Sequence, residues 1–323
     1  MYNNIIKFYG EGQDDPKELI LQWNIGNVCN YSCEYCPALL HDGSMGWVEL
    51  DVIKNLLTKF KKHFSEQVIK LELLGGEVTV KKDFIELMQF CKDEGFGSVI
   101  SSNGSRTVQY WERLCPYLDQ INFTFHPNFA DRINFIQVLE TCTKFNLSPF
   151  VSIAMVKPMF WELTEYCKEL RSLFPNLNID MMLLYDKQNN RNFNGFYYDY
   201  SAEEIDYLKN ETLSDMKFYA ETTEGETLRI SLSELRQHRL NDFSGYTCGN
   251  KLSMIAIDIF GRASIGLCAI KPRVNVYNDN LDELFKPTLC HLDECKNPSD
   301  IRILKIKKLE ALQSPVYCVS LEN

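Results

Sequence analysis

No stretch of this chain is apolar for the ~18 consecutive residues that a membrane-spanning helix needs, and residues 1–10 lack the apolar core of a secretory signal. A cytoplasmic protein without a membrane partner is expected. Basic runs are missing too: the 323 residues carry 34 Lys and Arg against 44 Asp and Glu, a formal charge of −10. That deficit argues against extended contact with the phosphate backbone of nucleic acid. There is no longer-period repeat and no low-complexity tract.

What is present is an ordinary globular composition, 45% hydrophobic and 24% charged, with enough length for one large α/β unit and a smaller one. Twelve cysteines in a chain of this type point to metal or redox use before disulfides. Residues 19–25 form an apolar run that reads as a buried strand, broken by Gly26 and Asn27. Helical periodicity follows at 50–64, then strand 68–74, helix 81–93, strand 98–101, helix 107–118, strand 120–125, helix 131–145, strand 147–156, helix 159–174 and strand 177–184. Six strands alternating with five helices predict a parallel sheet with right-handed crossovers. Closed or nearly closed, it is a partial (β/α)6 barrel of TIM type, with its active site at the C-terminal strand ends. The special residues fall at those ends: cysteines after the first strand, Gly75-Gly76-Glu77 after the second, Ser102-Asn103-Gly104 after the third and His126-Pro127 after the fourth. Beyond it, Ser201 to Glu204 has the form of a capping box, and residues 217–222 and 227–231 a hairpin. Residues 300–312 read as a closing helix.

The cysteines sort into groups. Cys91, Cys115, Cys142 and Cys167 sit at helical spacing on apolar faces, where a free thiol behaves as a small buried hydrophobe. Cys29, Cys33 and Cys36 are spaced C-x3-C-x2-C on a loop with no helical register. Soft thiolates select zinc or iron–sulfur clusters, and three of them hold three corners of a four-metal cube, leaving one open. The other reading is a zinc knuckle that His41 completes. Cys248 and Cys268 flank a hairpin turning at Phe260-Gly261-Arg262, and Cys290 with Cys295 can close the same site from another loop. Spacing alone does not choose between zinc and an iron–sulfur cluster there, and Cys318 is a spare ligand.

C-x3-C-x2-C after the first strand, an aromatic Tyr35 before the third cysteine and Gly75-Gly76-Glu77 after the second strand resemble the radical S-adenosylmethionine (radical SAM) superfamily, over about half of the chain. The resemblance implies a [4Fe-4S] cluster on Cys29, Cys33 and Cys36, with the amine and carboxylate of S-adenosyl-L-methionine on the open iron. Gly75 and Gly76 then let the backbone approach the methionyl group, Glu77 holds its amine, and Tyr35 meets the adenine through backbone atoms. Ser102, Asn103 and Thr124 lie where such barrels contact the cofactor. Ser102-Asn103-Gly104 also reads as a plain turn, His126 as a structural histidine, and His41, Asp42 and Ser44 as either the substrate mouth or a solvated loop.

Cys248-x12-Gly261-x6-Cys268, followed by Cys290 and Cys295, resembles the twitch or SPASM extension of that superfamily. The gap after the glycine is longer than usual and the dense cysteine runs of a full SPASM domain are missing, so one auxiliary cluster is expected, not two. The expected division is an N-terminal segment 1–18, a core barrel 19–185, a connecting region 186–245 and a cysteine-rich hairpin extension 246–323. The implied activity is reductive cleavage of S-adenosylmethionine and hydrogen abstraction by the 5′-deoxyadenosyl radical, served by a donor such as flavodoxin or ferredoxin. The auxiliary cluster would accept the substrate electron in a net oxidation or brace the cavity. With the first strand near Leu19, no leader-binding domain is expected in front of it. This favours a small polar or carbohydrate-type metabolite over the peptide substrate of a RiPP maturase. The reading from another class is a zinc- or cluster-stabilised binding protein without turnover.

Overall fold

The structure is a computed structural model and describes residues 4–11, 17–184, 197–211, 217–231, 234–235, 238–248, 254–265, 274–285, 288–295 and 298–307. The chain opens on β1 (Ile5–Gly10), continues through β2 (Glu18–Asn24), and makes a short antiparallel pair of β3 (Gly26–Val28) with β4 (Asp42–Trp47). Strand and helix then alternate: α1 (Leu50–His63), β5 (Val68–Leu74), α2 (Phe84–Asp93), β6 (Gly97–Ser102), α3 (Val108–Leu114), β7 (Gln120–Phe125), α4 (Arg132–Lys144), β8 (Phe150–Ala154), α5 (Phe160–Leu173) and β9 (Asn178–Met182). The helices form where apolar residues recur on one stripe: Ile53, Leu56, Leu57 and Phe60 of α1 are all buried. Asp131 starts α4 by accepting the amides of Ile133 and Asn134 at 2.9 and 3.2 Å.

The strands β2, β5, β6, β7, β8 and β9 lie side by side in chain order, all parallel, giving the chain its α/β fold. Their two faces differ. Leu19, Leu21 and Trp23 of β2 are fully buried, while Ile20, Gln22 and Asn24 between them are half-exposed, and β5, β6 and β7 alternate likewise. One face therefore packs on the helices and the other, largely polar, is open to a ligand. Cys91, Cys115, Cys142 and Cys167 are buried in the core, as their helical spacing predicts, with the sulfurs of Cys115 and Cys142 3.9 Å apart.

The remaining elements are α6 (Ala202–Glu211), β10 (Lys217–Thr222), β11 (Thr227–Ser231), β12 (Tyr246–Cys248), β13 (Met254–Ile257), β14 (Arg262–Ile265), β15 (Val274–Asn275), β16 (Thr288–Leu289), α7 (Pro298–Arg302) and β17 (Lys305–Lys307). The capping box is present: Ser201 N donates to Glu204 Oε2 at 2.7 Å and Glu204 N to Ser201 Oγ at 3.2 Å. β13 and β14 are antiparallel, turning through Asp258 and a Gly261 held at φ +76°. The hairpin is not a separate appendage, because β13 pairs in parallel with β2 and extends the main sheet past its first strand.

A second sheet, in the order β11-β10-β1-β17-β12-β16, has its own core around Phe8, Phe218, Ile230 and Phe243. It corrects the sequence reading twice. Residues 5–10 form a strand within this sheet, where sequence reading had only tested them as a signal. The closing helix expected at 300–312 ends at Arg302. There the buried Lys305 ammonium donates to the carbonyls of Asp300, Ile301 and Ile303, and Lys305–Lys307 leaves as β17 to pair with β1 and β12. Residues 308–312 lie outside the described residues.

Candidate active site

The cysteine loop is fixed at its two ends by pairing that no local pattern announces. Ile25 N donates to Leu74 O at 2.9 Å and Val48 N to Ile25 O at 2.8 Å, so β3 and β4 leave the main sheet as a unit. Between them Asn27, fully buried, spends its amide on the loop: Nδ2 lies 3.0 Å from Leu39 O, 2.7 Å from Asp42 Oδ1 and 3.2 Å from Ser44 Oγ, and Oδ1 accepts Met45 N at 3.0 Å. Asp42 and Ser44 thus belong to a strand end and not to a free loop. Both Ser44 donors, hydroxyl and amide, hold the exposed Asp42 carboxyl below its ordinary pKa.

Cys29, Cys33 and Cys36 line one cavity of about 170 Å³ together with Gly75, Gly76, Glu77, Ser102, Asn103, Thr124 and His126. Every residue expected around the cofactor lies on its wall except Tyr35. That phenol points to His126, with its oxygen 2.7 Å from Nδ1 and the two rings stacked at 5.8 Å. Burial makes His126 a poor base, lowering its pKa to about 4, so the imidazole is neutral at ordinary pH. Burial also raises the thiols, Cys29 above its usual value and Cys33 to about 11. Such thiols ionise only when positive charge is supplied, which is what a bound metal does.

Among the described residues no three His, Cys, Asp or Glu side chains are arranged to hold a single metal ion. A cube whose cysteines each take a different iron does not require that convergence. His41 Nε2 lies 3.2 Å from the Cys36 carbonyl oxygen, which ties the imidazole back to the cysteine loop.

Gly76 has a reason the sequence reading did not reach. Its amide donates to Gly26 O at 3.1 Å, Glu77 N donates to Val28 O at 2.8 Å, and a Cβ on Gly76 would sit 2.3 Å from Val28 O. The missing side chain lets the turn after β5 clasp the strand that leads into Cys29. Gly76→Ala is therefore expected to lower stability by about 1–3 kcal/mol through overpacking and to reduce iron uptake. Chemical denaturation with iron analysis checks both.

Glu77 is almost wholly buried. Its Oε1 accepts Thr79 N (3.0 Å), Thr79 Oγ1 (2.6 Å) and Ser102 Oγ (2.9 Å), while Oε2 accepts only Asn103 N (2.6 Å). Desolvation raises its pKa against these four donors, and no cationic side chain among the described residues pairs with it. A carboxylate in this state suits a ligand ammonium. Ser102 and Asn103 act mainly inside the protein: Ser102 on Glu77, and Asn103 through Nδ2 on Asn30 Oδ1 at 3.0 Å, bracing the cysteine loop. The Thr124 side chain makes no hydrogen bond within the described residues and lines the cavity with its hydroxyl available.

The second cysteine group is partly in view. Cys248, on β12, stands opposite Thr288 in the β12–β16 pair, and Cys290, the residue after β16, donates its N–H to Tyr246 O at 2.8 Å. Cys295 is held near by N–H donation to Asn241 O and by Asn241 Nδ2 donating to its carbonyl at 3.1 Å. Cys268 and Cys318 lie outside the described residues.

The model of the Radical SAM superfamily matches residues 23–198, just over half of the chain. An S-adenosylmethionine-dependent nucleotide dehydratase of Fibrobacter sp. (strain UWH6) is 26% identical over 220 residues, 62% of this chain and 60% of that protein. One of Pseudoalteromonas ulvae is 29% identical over 126 residues, 34% of this chain and 40% of that protein. The chain thus spans 40–60% of the length of these curated relatives. In fold it is similar to anSMEcpe with bound AdoMet, with a TM-score of 0.54 at 14% identity over 84% of this chain and 80% of that one. With that model covering more than half of the chain, and with the three thiols and the Gly-Gly-Glu turn meeting on one cavity inside the matched region, the chain belongs to the radical SAM superfamily of enzymes.

Proposed function

We propose that Cys29, Cys33 and Cys36 hold a [4Fe-4S] cluster and that S-adenosylmethionine binds its open corner, with Glu77 receiving the methionyl ammonium. The observation that carries this is the convergence of three thiols and a buried, cation-free carboxylate on one cavity. When bound, the reduced cluster and S-adenosylmethionine supply a 5′-deoxyadenosyl radical that abstracts hydrogen from an unreactive C–H bond. The protein's own part is positional. Asn27 and the Gly76 clasp fix the loop, Ser102 and Asn103 fix Glu77, Thr124 offers a hydroxyl, and Tyr35 meets the adenine through its backbone. The six parallel strands act as a partial (β/α)6 barrel over residues 19–185, followed by a connecting region 186–245 and an extension 246–323.

That extension is a twitch-like site for one auxiliary [4Fe-4S] cluster on Cys248, Cys268, Cys290 and Cys295, with Cys318 as the replacement ligand. The placement of Cys248 on β12 and of Cys290 just after the strand paired with it supports this reading. Iron analysis of the Cys29/Cys33/Cys36 triple alanine variant tests it: about four irons should remain, and loss of all iron from a folded protein contradicts it.

The substrate is a small polar or carbohydrate-type metabolite, oxidised overall, with its electron accepted by the auxiliary cluster, and a flavodoxin- or ferredoxin-class donor reduces the first cluster. The polar, half-exposed face of the main sheet supports this reading. No described helix is long and apolar enough to cross a membrane. Stimulation of 5′-deoxyadenosine formation by polyols or aminopolyols is the expected result of an anaerobic substrate screen. Stimulation by nucleoside triphosphates or by peptides instead would overturn the substrate class.

A further inference from the structure

The open face of the sheet continues past the cavity wall in a way that names a substrate anchor. Thr124 of β7 lines the cavity, and strand register places Ser152 of β8 directly beside it and Asp180 of β9 directly beside Ser152. Paired residues of adjacent strands point to the same face, so the three side chains form one row. All three are half-buried, on the face that alternates away from the buried Phe123, Phe125, Val151 and Ile153. Two strand spacings carry the row about 10 Å from Thr124, the span of one sugar-sized molecule.

Asp180 is the only charged residue in the sequences of these three strands. Its side-chain carboxyl makes no hydrogen bond or ion pair with a described residue, and burial raises its pKa with no donor opposing it. A half-buried carboxylate without a partner is a net cost to the fold, and such groups gather where a ligand will supply the partner. The cations found elsewhere on this face are already paired, Lys70 with Glu18 at 2.8 Å and Arg262 with Asp258 at 2.6 Å.

We infer that Thr124, Ser152 and Asp180 form the substrate subsite, and that Asp180 selects a molecule presenting hydroxyl or ammonium donors and rejects one presenting a phosphoryl group at this position. A donor gains a charge-assisted hydrogen bond there, whereas a phosphate dianion meets a like charge that no cation among the described residues offsets. This inference rests on the reading of the cavity as the S-adenosylmethionine site, and it sets the chain apart from relatives whose names specify nucleotides.

The test is ligand retention by the reconstituted full-length protein, followed by native mass spectrometry against a panel of aminopolyols and polyols and their phosphate monoesters, with S-adenosylmethionine present. Aminopolyols should be retained over their phosphate esters, with retention falling about tenfold or more in Asp180→Asn and less in Ser152→Ala. Asp180→Asn removes a desolvated charge, so its melting temperature should hold or rise. Preference for the phosphate esters, no retention of any aminopolyol, or unchanged retention by both variants would overturn the inference. Wild-type 5′-deoxyadenosine formation separately reports the cavity reading, so either can fail alone.

Discussion

Replacing Cys29, Cys33 and Cys36 together by alanine is expected to reduce 5′-deoxyadenosine formation to background while leaving the protein folded. The two halves of that expectation have different physical origins. Soft thiolates are the ligands that suit an iron–sulfur cluster, whereas the cavity's carboxylate is committed to four donors and its two imidazoles are engaged, His126 with Tyr35 and His41 with the Cys36 carbonyl. The loop, by contrast, owes its shape to other atoms. Asn27 bonds Leu39, Asp42, Ser44 and Met45, and Asn30 bonds Asn103 and Ser105, while the thiols add weaker contacts: the Cys29 sulfur accepts Tyr31 N at 3.3 Å and the Cys33 sulfur lies 3.6 Å from His126 Nδ1. Losing such contacts costs about 1 kcal/mol or less each. Product analysis beside a denaturation curve separates the outcomes. Retained product formation with an unchanged curve would remove the three cysteines from the chemistry.

Glu77→Ala should be the most damaging single substitution in the cavity. It strands the amides of Thr79 and Asn103 without an acceptor in a dry environment, at about 1–3 kcal/mol each. Part of this is offset because the carboxylate itself is desolvated, and a net loss of about 3 kcal/mol is expected. Affinity for S-adenosylmethionine should fall at least tenfold with loss of the ammonium partner. Glu77→Gln distinguishes the roles. Its single carbonyl can stay with the three donors at Oε1, leaving one amide–amide conflict at Asn103 N, so stability should largely survive while cofactor affinity does not. Equilibrium dialysis and chemical denaturation of both variants supply the two readings. Equal loss of stability and affinity in Glu77→Gln would make the carboxylate a purely structural bracket.

Much of this site was legible because its parts are local. The C-x3-C-x2-C spacing, the Gly-Gly-Glu turn and the five helices of the core are each contained within a few turns of chain, and their periodicity survives without tertiary information. What escaped depends on distant pairing. β3 and β4 meet across the cysteine loop, Gly26 and Asn27 looked like breakers, and Asp42–Trp47 has no apolar alternation to mark it as a strand. β13 docks beside β2 from more than 200 residues away. Lys305 ends a helix that sequence continued, because a buried ammonium capping three carbonyls has no local signature. Asn27 and Asp180 were overlooked for the same reason: an Asn before a loop and an Asp in a strand are unremarkable until register shows what surrounds them. For Ser102 and Asn103 the sequence leaves a turn and a cofactor contact both open, and their polar atoms serve the turn and the protein: Ser102 Oγ accepts Gly104 N and donates to Glu77, and Asn103 accepts Ser105 N and donates to Asn30.

The central claim is that the open corner at Cys29, Cys33 and Cys36 is where S-adenosylmethionine binds. Electron paramagnetic resonance of the dithionite-reduced, reconstituted protein tests it most directly. The account predicts a reduced-cluster signal with a component that changes shape on adding S-adenosylmethionine in the wild type; that component is missing from the triple alanine variant, which keeps only the signal of its auxiliary cluster. A wild-type signal wholly indifferent to S-adenosylmethionine, or a responsive component that persists in the variant, would contradict it.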